Sequence, residues 1–319
     1  MSGLRLPRRL RFGAAAIAGL LIACGLGPFL MRPLPGMDPA RAGLLPPGSR
    51  ATVVVRTDGA VYISPRVESS AGRVVVIGPG ARRISVARAD VSRLYTHHYW
   101  LGSDRFGRDL LRESLVGGRI SLAIASLALA IALTLGSGIG LAAATGGKIA
   151  DGLLMRFVDA LLAFPILFLL ILAVTLFRPG PTVLIVVLGL TSWMSLARLV
   201  RGQVLSLRQR DYVLAARAAG SPWWRIWKLH YAPSLIGPVA QDTALRMGDL
   251  VLAEATLSYL GLGVPASTPT WGSLVAEGHK VLVHGWWLAT FPGVAIAVLV
   301  IALALVGDGL QQLVRAEPV

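Results

Sequence analysis

The chain has 319 residues, 55% of them hydrophobic and only 15% charged, with a mean hydropathy of +0.67. Soluble domains carry about 25% charged residues, so this composition excludes an ordinary water-soluble fold and points to an integral membrane protein. Net charge is +15, from 31 Lys and Arg against 16 Asp and Glu, which in a membrane protein reads as inner-face anchoring charge rather than a nucleic-acid surface; the single cysteine, Cys24, excludes an internal disulfide or a cysteine metal cluster.

The N-terminus, MSGLRLPRRLRF, is basic and leads into an uncharged run over residues 12–30. Leu21-Ile22-Ala23-Cys24 matches a bacterial lipoprotein cleavage box. The run stays apolar beyond the cysteine, however, and is long enough to cross a bilayer. Residues 1–31 are therefore read as an uncleaved first transmembrane helix. Residues 32–99 are read as an extracytoplasmic segment. It opens rich in Pro and Gly, and ATVVVRTDGAVYI then sets two β-branched runs around Asp58-Gly59, a hairpin signal. GRVVVIGPGARRISVARADV continues the strand pattern, so a small β-rich insert is expected at about residues 50–95.

Further apolar runs cover residues 120–147, 160–177, 179–197, 234–263 and 285–306. The 234–263 run holds Asp242, Arg246, Asp249 and Glu254. Backbone polar groups cannot go unsatisfied in lipid, so each run is read as a helix. The expected fold is an all-α polytopic membrane protein with six transmembrane helices, five of them in a core over residues 100–319. Residues 1–11 carry Arg5, Arg8, Arg9 and Arg11 with no acid. Residues 201–230 carry Arg201, Arg208, Arg210, Arg217, Arg225 and Lys228 against Asp211, while the 178–181 turn and the 264–284 loop are nearly neutral. Six spans place both termini and the 201–230 loop on one side, which the positive-inside rule makes cytoplasmic.

Within that loop, residues 212–219 are Ala-rich and good helix formers, Gly220-Ser221-Pro222 interrupts them, and Pro222 suits the first turn of a second helix. In WWRIWKLHY, Trp223, Trp227 and Tyr231 share one helical face. Ala215, Ala216 and Gly220 give a compact surface that admits the backbone of another protein, with the indoles suited to half-buried contacts. An interfacial helix lying on lipid headgroups fits the same residues.

The segment resembles the cytoplasmic coupling loop of ABC-importer permeases, whose pattern is Glu-Ala-Ala, three residues, Gly, nine residues, Ile-x-Leu-Pro. Ala215-Ala216, Gly220 and Pro233 stand at the spacing of that pattern. Leu214 occupies the Glu position, and His230 and Ala232 replace Ile and Leu. These departures point to the dipeptide/oligopeptide subfamily. WLGSDRFGRDLLRESLVGGRISLAIA resembles a second motif of that subfamily through Leu101, Gly102, Asp104, Gly107, Arg108, Asp109, Arg119 and Ser121, with Trp100 in place of the usual Pro. EATLSYLGLGVPASTPTWGSLVAEG resembles a third, from Glu254 through Gly261 and Gly263 to Trp271 and Gly272. The resemblance covers about residues 95–310 and is closest to the C-type subunit.

What the resemblance implies is a passive half of a transmembrane pair, importing dipeptides or oligopeptides by alternating access. The same permease type also serves nickel chelates and other small solutes. Its partners would be a second homologous permease subunit, two cytoplasmic ATPase subunits, an extracytoplasmic substrate-binding protein and the bilayer of the bacterial plasma (inner) membrane, without nucleic acid. ATP and Mg would sit on the ATPase subunits, with no catalytic residue, metal or cofactor on this chain. The coupling residues would be Tyr212, Ala215, Ala216, Arg217, Gly220, Trp223, Arg225, His230 and Pro233.

Asp242, Arg246, Asp249 and Glu254 either line the solute path or form a structural charge cluster; the spacings Asp242–Arg246 and Arg246–Asp249 allow pairing on one helix face. Gly102, Asp104, Gly107, Arg108 and Asp109 form either a charged extracytoplasmic elbow or a solvated cap, with Asp104 near a helix N-terminus. Gly136, Gly138 and Gly140 fall mid-span, where small residues permit close helix packing. TGGKIA at 145–150 has Ile149 where a phosphate loop needs Ser or Thr. The adjacent His97 and His98 point apart on a strand and make a poor chelate. A six-span membrane enzyme is the competing class, but His230 and His284 both fall near span ends, away from any nucleophile–base set.

Overall fold

The computed structural model describes residues 7–31, 43–70, 72–77, 83–177, 180–265 and 268–316. Arg5, the Pro/Gly-rich stretch at 32–42, Arg178 and Pro179 lie outside the described residues. Most of the described chain is helical. Helix α1 is Arg8–Leu30 and α2 is Leu110–Thr145. They are followed by α3 (Gly147–Leu162), α4 (Ile166–Leu176), α5 (Pro181–Ser192), α6 (Met194–Leu207), α7 (Asp211–Ala218) and α8 (Trp223–Ile226). A π-helical turn, Trp227–Tyr231, leads into α9 (Ala232–Tyr259), and α10 (Trp271–His279), α11 (Leu282–Gly285) and α12 (Trp287–Ala316) complete the order.

Among the described residues, four helical stretches are long and apolar enough to cross a membrane: Arg8–Leu30, Leu110–Thr145, Pro181–Leu207 and Trp287–Leu313. The α3–α4 pair makes a fifth if counted as one span, bent by 82°. The 160–177 run is therefore not one straight helix. Pro165 lacks an N–H and its ring clashes with the preceding turn, so α3 stops at Leu162 and Pro165 takes an extended conformation ahead of α4. Alone, the 11 residues of α4 rise about 16 Å, too short for a bilayer core of about 30 Å. Helix α9 has 28 residues, but its ionisable residues keep it out of the most apolar set.

The chain divides into two compact units: Met1–Leu20, Ser121–Pro265 and Ile296–Val319 form the first, and Leu21–Ile120 and Ala266–Ala295 the second. In the first, Gly140 of α2 lets α6 come close, since a Cβ there would lie 2.5 Å from the Ala197 carbonyl oxygen. Gly136 does the same beside Leu196 and the Trp193 carbonyl. Arg201 and Arg198 of α6 pair with Asp151 and Asp159 of α3, so part of the loop's basic excess is locally neutralised. Arg9 meets Asp308 at 3.1 Å, tying the start of α1 to the end of α12.

The second unit holds two three-stranded antiparallel sheets. Strands β1 (Ser49–Arg56), β2 (Val61–Ser64) and β6 (Val91–Tyr99) form one, in the order β2-β1-β6; β3 (Arg66–Ser70), β4 (Arg73–Ile77) and β5 (Arg83–Ala87) form the other. The β1–β2 turn runs through Asp58-Gly59, with Gly59 at φ +85° and the Asp58 carboxylate accepting the Ala60 N–H at 3.0 Å. β1 is buried on both faces: Ala51 and Val53 pack with Val61, Ile63 and Tyr99, whereas Val54 packs with Val74 and Val76 of β4. His97 bonds Asp109 at 2.8 Å and His98 stacks on Trp100, so the adjacent histidines are engaged on different partners.

Candidate functional site

The basic segment between α6 and α9 is anchored on one side and bare on the other. Val213 of α7, Ile226 of α8, Tyr231 and Leu235 are buried against Ala144 of α2 and Leu196, Val200 and Val204 of α6. Burying four such side chains contributes roughly 1.5–3 kcal/mol each, which holds the segment to the spans as one body. The opposite side exposes Tyr212, Leu214, Ala215, Trp223 and Trp224, with Trp223 73% accessible. Exposed aromatic and aliphatic groups in this concentration mark a contact surface.

The break between the two helices is a Schellman motif. Gly220 adopts φ +73°, its N–H donates to the Arg217 carbonyl at 2.9 Å, and the Ser221 N–H donates to the Ala216 carbonyl at 3.0 Å. A side chain is strained at that φ, which accounts for glycine there. Ala215 is exposed as the spacing implied, but Ala216 packs partly inward on the buried cluster. Arg217 donates to the Tyr231 hydroxyl at 2.9 Å, and the Tyr212 ring lies 5.4 Å from that of His230. Arg225 and Pro233 are exposed. Trp223, Trp227 and Tyr231 do line one cleft, but across α8 and the π turn rather than along one regular helix. The sequence did not single out the anchors Val213, Ile226 and Leu235, although their alternation with exposed neighbours at helical spacing carried the signal.

The charges of α9 separate into three environments. Arg246 forms a bidentate pair with Asp242, at 2.9 Å to Oδ2 from Nε and 3.0 Å to Oδ1 from Nη2, and also donates to the Ser192 carbonyl. Asp249 is exposed and makes no ion pair with Arg246 among the described residues. Of the two pairings that the spacing allows, Arg246–Asp242 forms, its i, i+4 geometry bringing both oxygens within reach, and Arg246–Asp249 does not. Glu254 is wholly buried, accepting from Ser121 at 2.8 Å and Ser258 at 2.7 Å. Glu254 is thus enclosed between two hydroxyl donors in this structure.

The elbow residues also differ from expectation. Asp104 is fully buried and Arg108 nearly so, which is not the solvated cap of the second alternative. Asp104 accepts the Phe106 and Arg108 N–H groups at 2.8 Å each and pairs with the Arg108 side chain. Asp109, not Asp104, caps α2, its Oδ1 accepting the Leu111 N–H at 2.9 Å. Gly102 and Gly107 take φ +86° and +75° to close this tight turn. Arg108 reaches Glu113 at 3.3 Å and Glu277 at 3.5 Å. Burial opposes its charge, yet the surrounding carboxylates hold its pKa above the usual value. Burial, with Asp109 and Asp104 close by, pushes the Tyr99 phenol well above its usual range. Nearby, Trp271 is buried with its Nε1 donating to the Ser114 carbonyl at 2.8 Å. Gly118 makes room for it, since a Cβ there would lie 2.5 Å from the indole.

A family model described as binding-protein-dependent transport system inner membrane component matches residues 136–317. The chain belongs to that family. It is an ABC-importer permease, and the matched region takes in the anchored segment, the charged α9 and the last span. A Brucella suis protein provisionally named as a peptide transport system permease is 42% identical over 213 residues, covering 66% of this permease and 71% of its own length. The dipeptide transport system permease protein of Bacillus subtilis is 35% identical over 243 residues, covering 75% and 76%. A solved inward-facing methionine ABC transporter superposes with a TM-score of 0.51 at 20% identity, over 63% of this permease and 94% of that chain, which shows a shared fold.

Proposed function

We propose that this permease is a transmembrane subunit of an ATP-driven importer of dipeptides or oligopeptides, moved by separate ATPase subunits that grip the 201–233 loop. The observation that carries the reading is the two-sidedness of that loop: Val213, Ile226, Tyr231 and Leu235 lock it to the spans, while Tyr212, Ala215 and Trp223 stand bare. A push on the bare side is transmitted because the other side is packed. A ligand shifts a two-state equilibrium only through its differential affinity for the states, so the ATP-bound ATPase pair holds one loop position more tightly. Arg217, Gly220, Arg225, His230 and Pro233 complete the coupling surface. The names of the relatives, which specify peptide, dipeptide and oligopeptide systems, support the substrate class.

In this reading six helices span the bacterial inner membrane, with the α3–α4 pair as one span and α9 as another. The Asp242–Arg246 pair lowers the cost of carrying charge in α9. Residues 1–31 supply the first span, 32–99 an extracytoplasmic segment with its β-rich insert, and 100–319 the permease core. Both termini and the coupling loop face the cytoplasm. A second permease subunit and an extracytoplasmic binding protein complete the system. ATP and Mg belong to the two ATPase subunits, and this chain holds no catalytic residue or metal. Asp249 faces the path and Asp242–Arg246 stand beside it.

The test is co-purification of the ATPase subunits with wild type, Gly220→Trp and Ala215→Trp. Ala215→Trp adds bulk at an exposed, unstrained helix position, so it separates blocked docking from misfolding. Loss of ATPase from a stable permease supports the reading; full ATPase retention with normal peptide uptake in both variants rejects it.

A further inference from the structure

A cleft of about 660 Å³ lies in the first unit between the last turns of α2 and the coupling loop, within the size range of about 300–1,000 Å³ for ligand sites. One wall is a strip of α2, with Leu141 and Thr145 one turn apart on the same face. That strip belongs to a membrane span. The opposite wall is aromatic, from Trp227 and Tyr231, whose rings meet edge-on at 6.2 Å. Arg208 and Arg217 also line it. Both guanidinium groups bond neutral acceptors, Arg208 the Ala144 carbonyl and Arg217 the Tyr231 hydroxyl, and neither pairs with a carboxylate among the described residues.

We propose that this cleft is a binding site for one anionic phospholipid, its phosphate on Arg208 and Arg217 and an acyl chain along the Leu141–Thr145 strip. Two arginines on neutral partners beside apolar walls favour an anion, because a charge-assisted bond to phosphate is stronger than one to a carbonyl. The rest of the cleft favours hydrocarbon over water. A free anion would gain nothing from the apolar wall, and a neutral lipid would leave the arginines as they are. Basic pockets beside spans bind anionic headgroups for the same reason, and interfacial tryptophans sit at headgroup depth. Bound lipid would brace the loop against α2, with Trp223 at the border between the cleft and the exposed surface. The proposal rests on the chain being a membrane permease and not on ATPase docking.

The test uses the whole transporter in nanodiscs with photoactivatable phosphatidylglycerol, reading labelled peptides from residues 138–145 and 223–231. Labelling is expected there, with excess phosphatidylglycerol but neither phosphatidylcholine nor inorganic phosphate competing. Arg208→Gln with Arg217→Gln should weaken it about 30-fold, the loss expected for two arginines at an anionic lipid. Gly138→Phe should abolish it; Gly138 lines the cleft, and a Cβ there meets nothing within 4 Å, so the added side chain starts in open space. Equal competition by phosphatidylcholine, displacement by inorganic phosphate, or unchanged labelling in all variants would each overturn the proposal. Ala215→Trp distinguishes it from the coupling reading, since that variant should lose ATPase and keep the lipid label.

Discussion

The Ser121 hydroxyl donates to the Glu254 carboxyl across 2.8 Å, joining α2 to α9 inside the first unit. Ser258, one turn beyond Glu254, donates to its other oxygen at 2.7 Å. The contact joins residues from two of the motifs by which the sequence resembles peptide permeases.

Glu254→Ala is expected to destabilise the permease by about 2–5 kcal/mol, as for truncating a buried side chain of similar size. It removes the shared acceptor of both hydroxyls and opens a cavity. Glu254→Gln keeps the shape and an acceptor, so its cost should stay below about 1.5 kcal/mol. Thermal unfolding of the purified transporter measures both. Near-normal peptide uptake by Glu254→Gln separates a packing role from solute contact.

Gly118 and Trp271 form a matched pair in the second unit. A Cβ at Gly118 would lie 2.5 Å from the indole and 2.6 Å from the Cys24 Sγ. Gly118→Ala should therefore cost about 1–3 kcal/mol by overpacking. Trp271→Phe should cost about 1–3 kcal/mol by leaving the buried Ser114 carbonyl without its indole donor. The two changes share a contact, so their sum should differ from the double variant, as a thermal double-mutant cycle would show.

The membrane class, the apolar runs and the three motifs were legible because composition and spacing are local properties. Two turn glycines were legible as well, since Gly59 and Gly220 take positive φ where the pattern breaks. Partnerships across the chain were not: Ser121 and Glu254 stand 133 residues apart. Burial at the turn before α2 was equally hidden. Asp104 reads as a solvated cap until the fold encloses it with Arg108, while Asp109 takes the cap one turn later. The 160–177 run read as one apolar segment, whereas the chain bends by 82° at the break that ends in Pro165.

Glu277 gives the second unit a pH dependence. Burial pushes its carboxyl above the usual range, Asp104 adds to that, and Arg108 opposes it. The unfolded carboxyl ionises at about 4.3. Between that value and the higher folded one, the folded state binds more protons than the unfolded state, so the Glu277 contribution to stability falls as pH rises. Above the folded value it is constant. Glu277→Gln removes the proton, and the stability difference between wild type and variant should change across this window alone. Denaturation midpoints from pH 4 to pH 8 measure it; a difference that stays flat contradicts the assignment.

The charges of α9 make the sharpest contrast. Arg246→Ala leaves the half-buried Asp242 without its bidentate partner and should cost about 1–3 kcal/mol, the range for stranding a polar group. Replacing both residues, as Asp242→Leu with Arg246→Met, removes the stranded charge and should recover most of that stability. Asp249→Ala should change stability by no more than about 0.5 kcal/mol, because the side chain is exposed and unpaired among the described residues. Uptake then separates position from packing. Asp249→Ala should lower uptake of peptides with a free amino terminus if the carboxylate faces the solute, while the stable double variant tests whether the Asp242–Arg246 pair serves transport or only helix insertion. Normal uptake in both would place the solute path away from this face of α9.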